Sequence, residues 1–504
     1  MLIRISARSS FLARYQALQV GEALTKAHPQ HEFQYFFRES LGDKNLTDPL
    51  WKMPEKGVFT EDFIGDLIDE STDMVVHSWK DLPTAKGKHT EIVATLPRAD
   101  QRDLLLLKKS SKMQLENKKD VHILSSSLRR QKNLHDFLSE ALPGETHDIH
   151  FHNVRGNIPT RISKLMAAEN ADGLILAKAA LDRLLSAPWP DFQPMKAEIL
   201  QFLQKCDWMV LPLSENPNAA AQGALAIEVK KNRPEISSLL AALNDPQTFS
   251  AAQKERDILA SYGGGCHQKI GIAILNRPYG EIKFLQGLTD QGEVLDSQTL
   301  QTNNLYKKIR PSESYREIQW SSSSLRTLMK RTEIDFKISE SINALFVSRI
   351  SAWRPFQGYV WAAGIETWKQ LAKIGVWVHG SAEGLGESED PQIQTLCQRP
   401  LIWGKLTHTQ AKNNLSQINQ MQAIATYEMA IEGSLPEKDI LDAASFFWTS
   451  GYIFEVVTQQ FPQILDRQHG CGPGNTWKSI SEKLSQRGLP TPQIFLNENE
   501  WRSL

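Results

Sequence analysis

The sequence predicts an α/β protein of several domains with mainly parallel sheets. Three observations carry that expectation. The chain has 504 residues, and at roughly 100–200 residues per domain this implies three to five domains. Charged residues make up 23% and hydrophobic residues 41%, within the range of a folded, soluble protein. Short apolar runs alternate with helix-like stretches through residues 1–235, and the same texture returns from about residue 341.

Taken in order, residues 2–5 read as a strand and 11–25 as a helix. Strands are expected at 74–77, 92–94 and 122–124, with a helix from about Ser127. Further strands follow at 173–177 and 224–229. Residues 245–315 differ. A helix at about 251–261 precedes a glycine run, and strands at 270–274, 281–287 and 292–299 enclose a hairpin-like turn at Asp290-Gln291-Gly292. The polar stretch 316–340, with its serine run 321–324, reads as a linker. Beyond it, strands are expected at 344–347, 358–363, 376–379, 400–403, 422–427 and 445–448.

Composition excludes several classes. A formal net charge of −1 provides no global field for nucleic acid. The cysteines (Cys206, Cys266, Cys397 and Cys471) are far apart and lack zinc spacing, so a reducing, cytoplasmic setting is expected. The sequence begins without an apolar stretch of signal-peptide length. No apolar run of about 18 residues suggests a membrane span. P-loop, GxGxxG and HExxH patterns are lacking, and no metal is expected.

Arginine placement is the first chemical signal. Arg8, Arg129, Arg130, Arg155, Arg161 and Arg183 all fall near expected strand ends or helix starts, where backbone N–H groups already favour anions. Guanidinium forks there suit carboxylates. Any one of them could equally be a surface ion pair; together they imply a ligand with several acidic groups. His77-Ser78-Trp79-Lys80-Asp81 follows an apolar run, and a carboxylate beside a cation can stabilise positive charge or move a proton. Gly263-Gly264-Gly265-Cys266 puts a thiol on a loop with room around it. Alone, it is compatible with a plain turn.

In combination these segments resemble the porphobilinogen deaminases. The strings are RISARSSFLARYQA, KGVF, VVHSWKDLPT, SSSLRRQ, NVRGNIPTRISKL, GLILAKAALDRL, AQGALAIE and GGGCHQKIG, in the family's order over about residues 1–310. The resemblance implies two periplasmic-binding-protein-like domains, 1–98 with 222–240 and 99–221, and a small α+β domain, 241–315. It implies a dipyrromethane cofactor in thioether linkage to Cys266, and condensation of four porphobilinogen molecules into hydroxymethylbilane with loss of ammonia. Asp81 matches the catalytic aspartate, beside Lys80. Ser127, Arg129 and Arg130, with Lys80 and Asp81, match cofactor-holding positions. Arg8, Ser10, Arg155, Arg161, Arg183 and Gln222 match substrate positions. A monomer is expected, with no membrane or nucleic-acid partner.

Residues 341–504 resemble uroporphyrinogen-III synthases through ALFVSRISAW, VWAAGIETWKQLAKIG, AIATYEM, FFWTSGYIFEVV and GCGPGNTWKSISEKL. The resemblance implies that Tyr427 and Thr449 serve ring closure and that Ser450 and Thr476 hold substrate. The region is short for that family. It reads as an abridged synthase; the alternatives are a non-catalytic appendage to a deaminase and, for the whole chain, an anion-binding receptor. Other departures are Phe11 in place of a proline, Asn218-Ala219-Ala220-Ala221 before Gln222, and Lys178 at an often small position.

Overall fold

Alternating buried residues build the first sheet. Ile3, Ile5, Ala7, Met74, Val76, Ile227 and Val229 share one core, as period-two patterning requires. The strands are β1 (Leu2–Arg8), β2 (Glu32–Arg38), β3 (Met74–Ser78), β4 (Thr90–Ala94) and β10 (Leu225–Lys230). Their order is β2-β1-β3-β10-β4; β1 is parallel to β2 and β3, whereas β10 runs antiparallel to β3 and β4. The computed structural model describes residues 1–39, 61–85, 87–115, 119–264, 268–303, 318–410 and 421–503.

A second sheet repeats the plan. It comprises β5 (Asp103–Lys108), β6 (Asp120–Leu124), β7 (Asp148–His152), β8 (Gly173–Ala177) and β9 (Cys206–Leu211). Their order is β7-β6-β8-β5-β9, with β5 antiparallel to β8 and β9. The chain enters this half by β5 and returns to the first by β10. Each sheet therefore holds one antiparallel strand among parallel ones, in keeping with the mainly parallel pairing that the sequence suggests. Both halves are α/β, with ligand-binding edges at the carboxyl ends of their parallel strands.

Helices cover the sheets for local reasons. In Phe11–Ala27 the Ser10 hydroxyl accepts from Ala13 N at 3.4 Å, and Ala13, Ala17, Val20 and Leu24 form the buried stripe. Ser127 and Asn157 cap Leu128–Ala141 and Ile158–Ala167 in the same way. Helix Pro246–Ser261 buries Glu255, whose carboxylate accepts from Arg98, Ala221 N and Ile274 N. It backs a three-stranded sheet, β11 (Lys269–Arg277), β12 (Gly280–Leu288) and β13 (Val294–Thr302). Thr289 accepts from Gly292 N at 3.0 Å at the expected turn.

The stretch read as a linker is not one. Gln319–Ser321 (β14) and Met329–Glu333 (β15) are strands. Each has one or more apolar anchors, Trp320 and Met329, both buried, and each pairs with a strand far along the chain: β14 with β21 (Ser445–Trp448) and β15 with β20 (Gln422–Ile431). Polar composition hid them because the partners lie about a hundred residues away. The six-stranded sheet is completed by β16 (Ala344–Val347), β17 (Tyr359–Ala362), β18 (Gly380–Ser381) and β19 (Trp403–His408), in the order β15-β20-β19-β16-β17-β18. The four-stranded sheet β14-β21-β22-β23 adds β22 (Gln468–Cys471) and β23 (Gln493–Ile494). Residues 376–379 are not a strand; pairing begins only at Gly380. The 400–403 strand lies further along, at Trp403–His408.

By contact density the chain divides into Met1–Asn276 with Lys283–Gln298, and Arg277–Ile282 with Thr299–Leu504. Among the described residues no helix is long and apolar enough to cross a membrane.

Candidate functional site

Strand β3 ends at Ser78, and the backbone tightens at once into a single 3-10 turn, Trp79–Asp81. Trp79 is fully buried, which anchors the turn and leaves Asp81 exposed. The turn is also gripped from behind. Arg256, on helix Pro246–Ser261, donates to the Trp79 and Leu82 carbonyls at 3.1 and 3.0 Å and to the Pro83 carbonyl.

The same helix ends beside the turn. Gly263 and Gly264 have φ of +101° and +66°, left-handed conformations that glycine adopts without strain. A Cβ at Gly264 would lie 2.5 Å from Thr84 Oγ1. Glycine is therefore required on two counts where the chain passes Thr84, two residues before Cys266. Cys266 itself lies outside the described residues. Among the described residues Cys206, Cys397 and Cys471 are buried, and none is in a disulfide.

A hydrogen-bonded hub joins the two α/β halves. Lys80 Nζ donates to Gln222 Oε1 at 3.1 Å. Gln222 Nε2 donates to Asp103 Oδ1 at 2.9 Å and to the Gln101 carbonyl at 2.8 Å. Asp103 also receives Arg130 Nη2 at 2.7 Å, Arg130 Nε at 3.0 Å and Arg129 Nη2 at 2.7 Å. Arg129 donates in addition to Asn216 and the Pro217 carbonyl, both at 2.7 Å. Burial alone would raise the Asp103 carboxyl, but Arg130 and Arg129 more than offset it and hold it well below the usual carboxylate range. The sequence reading missed Asp103. Its only signal is an acid at the start of the apolar run DLLLL.

Cations crowd the space in front of this hub. Burial lowers Lys80 to about 8, with Asp81 opposing the shift and Arg130 adding to it. Burial likewise lowers Arg161 to about 10; Arg130 and Arg155 reinforce it, and Asp81 opposes. The structure thus brings Lys80, Asp81, Arg130, Arg155 and Arg161 into one electrostatic neighbourhood. Arg161 is held by the Gly156 carbonyl at 2.7 Å. Arg8 ends β1, next to β3, so it shares the carboxyl edge with the Trp79–Asp81 turn. Ser10 and Ser127 act locally as helix caps. Arg183 turns to the Gly223 carbonyl, at 2.8 Å; its Nε is buried and has no hydrogen-bond partner among the described residues.

Such an arrangement suits a polyanion. Mutually repelling cations would be relieved by several carboxylates, and one exposed acid, Asp81, remains among them. A residue match to the family model "porphobilinogen deaminase, dipyromethane cofactor binding domain" spans residues 3–238. The porphobilinogen deaminase of Desulforamulus reducens is 35% identical over 269 residues, covering 53% of this chain and 78% of that protein. The chain belongs to the porphobilinogen deaminase family. The deaminases of Nostoc sp. and Lachnospira eligens are 35% and 32% identical, over 76% and 88% of their lengths. This deaminase is accordingly a transferase of porphyrin biosynthesis with a dipyrromethane cofactor, and the cation-lined edge fits that group's acidic side chains. Departures from the family pattern are absorbed by packing. Phe11 stacks edge-on against buried Phe192 at 5.3 Å, and fully buried Lys178 pairs with Asp182 at 2.5 Å and Asp100 at 3.3 Å.

In the C-terminal unit Thr449 Oγ1 lies 3.0 Å from Ser322 Oγ, which also accepts from Thr449 N at 2.8 Å. Ser450 precedes helix Gly451–Gln460 without capping it. Thr476 sits in the first turn of helix Asn475–Ser485, where Asn475 bonds Glu387. Tyr427 is buried on β20. Its ring centroid is 6.0 Å from that of His408, which is 6.0 Å from that of Tyr452. Tyr452 Oη donates to the Met429 carbonyl at 3.1 Å, so the helix after Ser450 reaches β20 and brings Tyr427 and the Thr449–Ser450 loop into one neighbourhood. Among the described residues no group of three or more His, Cys, Asp or Glu could hold a metal.

Proposed function

We propose that residues 1–315 condense four porphobilinogen molecules into hydroxymethylbilane on a primer anchored at Cys266. The observation that carries this reading is the packing of Gly264, two residues before the thiol, against Thr84, three residues after Asp81. When bound, the dipyrromethane would supply the pyrrole α-carbon at which the chain grows. Each porphobilinogen would add through its aminomethyl carbon with loss of ammonia and of the α-carbon proton, and after four additions water would cleave the bond to the primer and leave the hydroxyl of hydroxymethylbilane.

In this reading Asp81 faces the positive charge that develops on the substrate as ammonia departs, and stabilises it without having to reorganise. Lys80, Arg155 and Arg161 receive carboxylates, with Arg8 and Ser10 completing the edge from β1. Arg129 and Arg130 act more by position than by contact, because Asp103, Asn216 and the Pro217 and Ile175 carbonyls take their donors. Gln222 then holds Lys80 in register with that hub, and Arg183 ties the second half to Gly223. We assign the domains as 1–98 with 222–240, 99–221, and 241–315; the double crossover between the two sheets supports the first two.

The test is intact mass. The purified chain should carry the added mass of two linked pyrrole units, and Cys266→Ser should lack it and make no product. A fully active chain of unmodified mass would sink the anchoring role.

A second reading concerns residues 316–504, which we infer close hydroxymethylbilane to uroporphyrinogen III. The convergence of Tyr427, Tyr452 and the Thr449–Ser450 loop favours it. So does placement of Thr476 at a helix start, where donors for a carboxylate are available. Incubating the chain with porphobilinogen should give the rearranged type III macrocycle; type I alone would leave this region without a synthase role.

A further inference from the structure

We propose that Arg331 and Arg349 form a carboxylate-binding site over Tyr427, at the carboxyl edge of the six-stranded sheet. The proposal rests on the cyclisation reading for its substrate class, a tetrapyrrole bearing acidic side chains, and adds the residues that would recognise it.

Strand register places the pieces. Val347 pairs with Leu406 across parallel β16 and β19, so Arg349 and His408 each stand two residues further on, at neighbouring strand ends. His408 pairs in turn with Tyr427 on β20. On the antiparallel edge strand β15, Arg331 pairs with Met429, whose carbonyl Tyr452 already holds. Four strands and the helix after Ser450 thus converge on one place. Carboxyl ends of parallel strands are where α/β sheets take ligands.

Charge makes the place selective. Arg331 lies beside the Tyr427 phenol, whose pKa burial raises against the opposing pull of Arg349 and Arg331. Protein crowds the Arg349 guanidinium and lowers its pKa. Arg331 and Arg326 add repulsion, and the Tyr427 phenol opposes. His408 is lowered chiefly by burial, with Lys405, Arg349 and Arg331 contributing. Lys405 has its own carboxylate, Glu387 at 2.7 Å. Glu333, opposite Tyr427 in register, is paired with Arg354 at 2.9 Å. For Arg331 and Arg349 no carboxylate partner exists among the described residues. Two guanidiniums beside a phenol, with no acid between them, form a fork-and-hydroxyl arrangement for a carboxylate.

The experiment titrates the full chain, carrying its own primer, with the octacarboxylate porphyrin uroporphyrin. Arg349→Gln and Arg331→Gln should each weaken binding by about tenfold, the loss of one charge-assisted hydrogen bond. Lys330→Gln removes the same charge from an exposed lysine on β15 that pairs with Glu432, and should leave binding unchanged. Equal affinities in Arg349→Gln, Arg331→Gln and Lys330→Gln would overturn the site. The isomer assay separates this from the reading beneath it. Weakened binding in a chain that makes only type I macrocycle would keep the site and remove the cyclase. Normal binding by both arginine variants, in a chain that makes type III, would do the reverse.

Discussion

Two pairs of arginines in this chain look alike in sequence and differ in circumstance. Arg129 and Arg130 begin a helix and are both buried on one carboxylate, Asp103. Arg331, on β15, and Arg349, just past the end of β16, stand around Tyr427 with no carboxylate partner among the described residues. The first pair has its charge neutralised within the fold, and a buried ion group of this kind is costly to leave half made. The second pair leaves its charge to whatever anion arrives. An arginine at a helix start is therefore not by that fact a ligand-binding arginine. What decides is whether an acid from elsewhere in the chain has reached it first.

The sharpest way to break this comparison is to remove the acid. Asp103→Ala should cost about 3–5 kcal/mol, because it strands two buried guanidiniums and one Gln222 donor. Arg349→Gln should change stability by no more than about 0.5 kcal/mol, because it breaks no ion pair among the described residues. Urea unfolding of the two variants measures both. If Asp103→Ala proved as mild as Arg349→Gln, the hub would not be the structural member described.

The next effect is on pH. Lys80 is lowered to about 8, so its ammonium is present below that value and lost as pH rises through it. If Lys80 must be charged to hold a carboxylate, product formation should fall above about pH 8. In Lys80→Arg the guanidinium stays charged (pKa above about 12), so that limb should move up and out of the accessible range, whatever the loss in rate. A limb still at pH 8 in the variant would assign it to a different group.

How much of this was legible beforehand follows from where partners lie along the chain. The 173–177, 344–347 and 445–448 strands were read with their observed bounds, since each is an apolar run that buries all its residues. The Trp79–Asp81 turn was legible for the same local reason, an apolar strand running into a charged loop. The antiparallel return of β10 was not, because pairing direction is a long-range property. Nor were β14 and β15, whose partners come from β21 and β20. Strand β2 (EFQYFFR) offers only a short alternation that Phe36 interrupts, with Phe33, Tyr35 and Phe37 packed on the core. The arginines were found by type and position, but Asp103, which separates structural from ligand-facing ones, is 26 residues from Arg129. No spacing rule links them.

The smallest effect probes whether packing, like charge, is shared between the two α/β halves. Phe11 stands where the resemblance leads one to expect a proline. It is the first residue of the helix that follows Arg8 and Ser10, and its ring meets Phe192 of the other half. Arg14, one turn later, lies 5.4 Å from the centres of both Phe37 and Phe192 and pairs with Asp191. Tyr15 adds an edge contact to Trp189 at 5.3 Å. These contacts clasp the two halves beside the edge that must accommodate a lengthening polyanion. Phe11→Ala should cost about 1 kcal/mol of stability, the worth of one aromatic pair, and should act on elongation more than on the first addition, because a looser clasp changes the space available to later units. Single-turnover mass spectra of the chain with one to four added units would resolve the two. Uniform slowing of every addition would mean that the clasp only stabilises the fold; a changed distribution among the later species would mean that it sets how far the halves part.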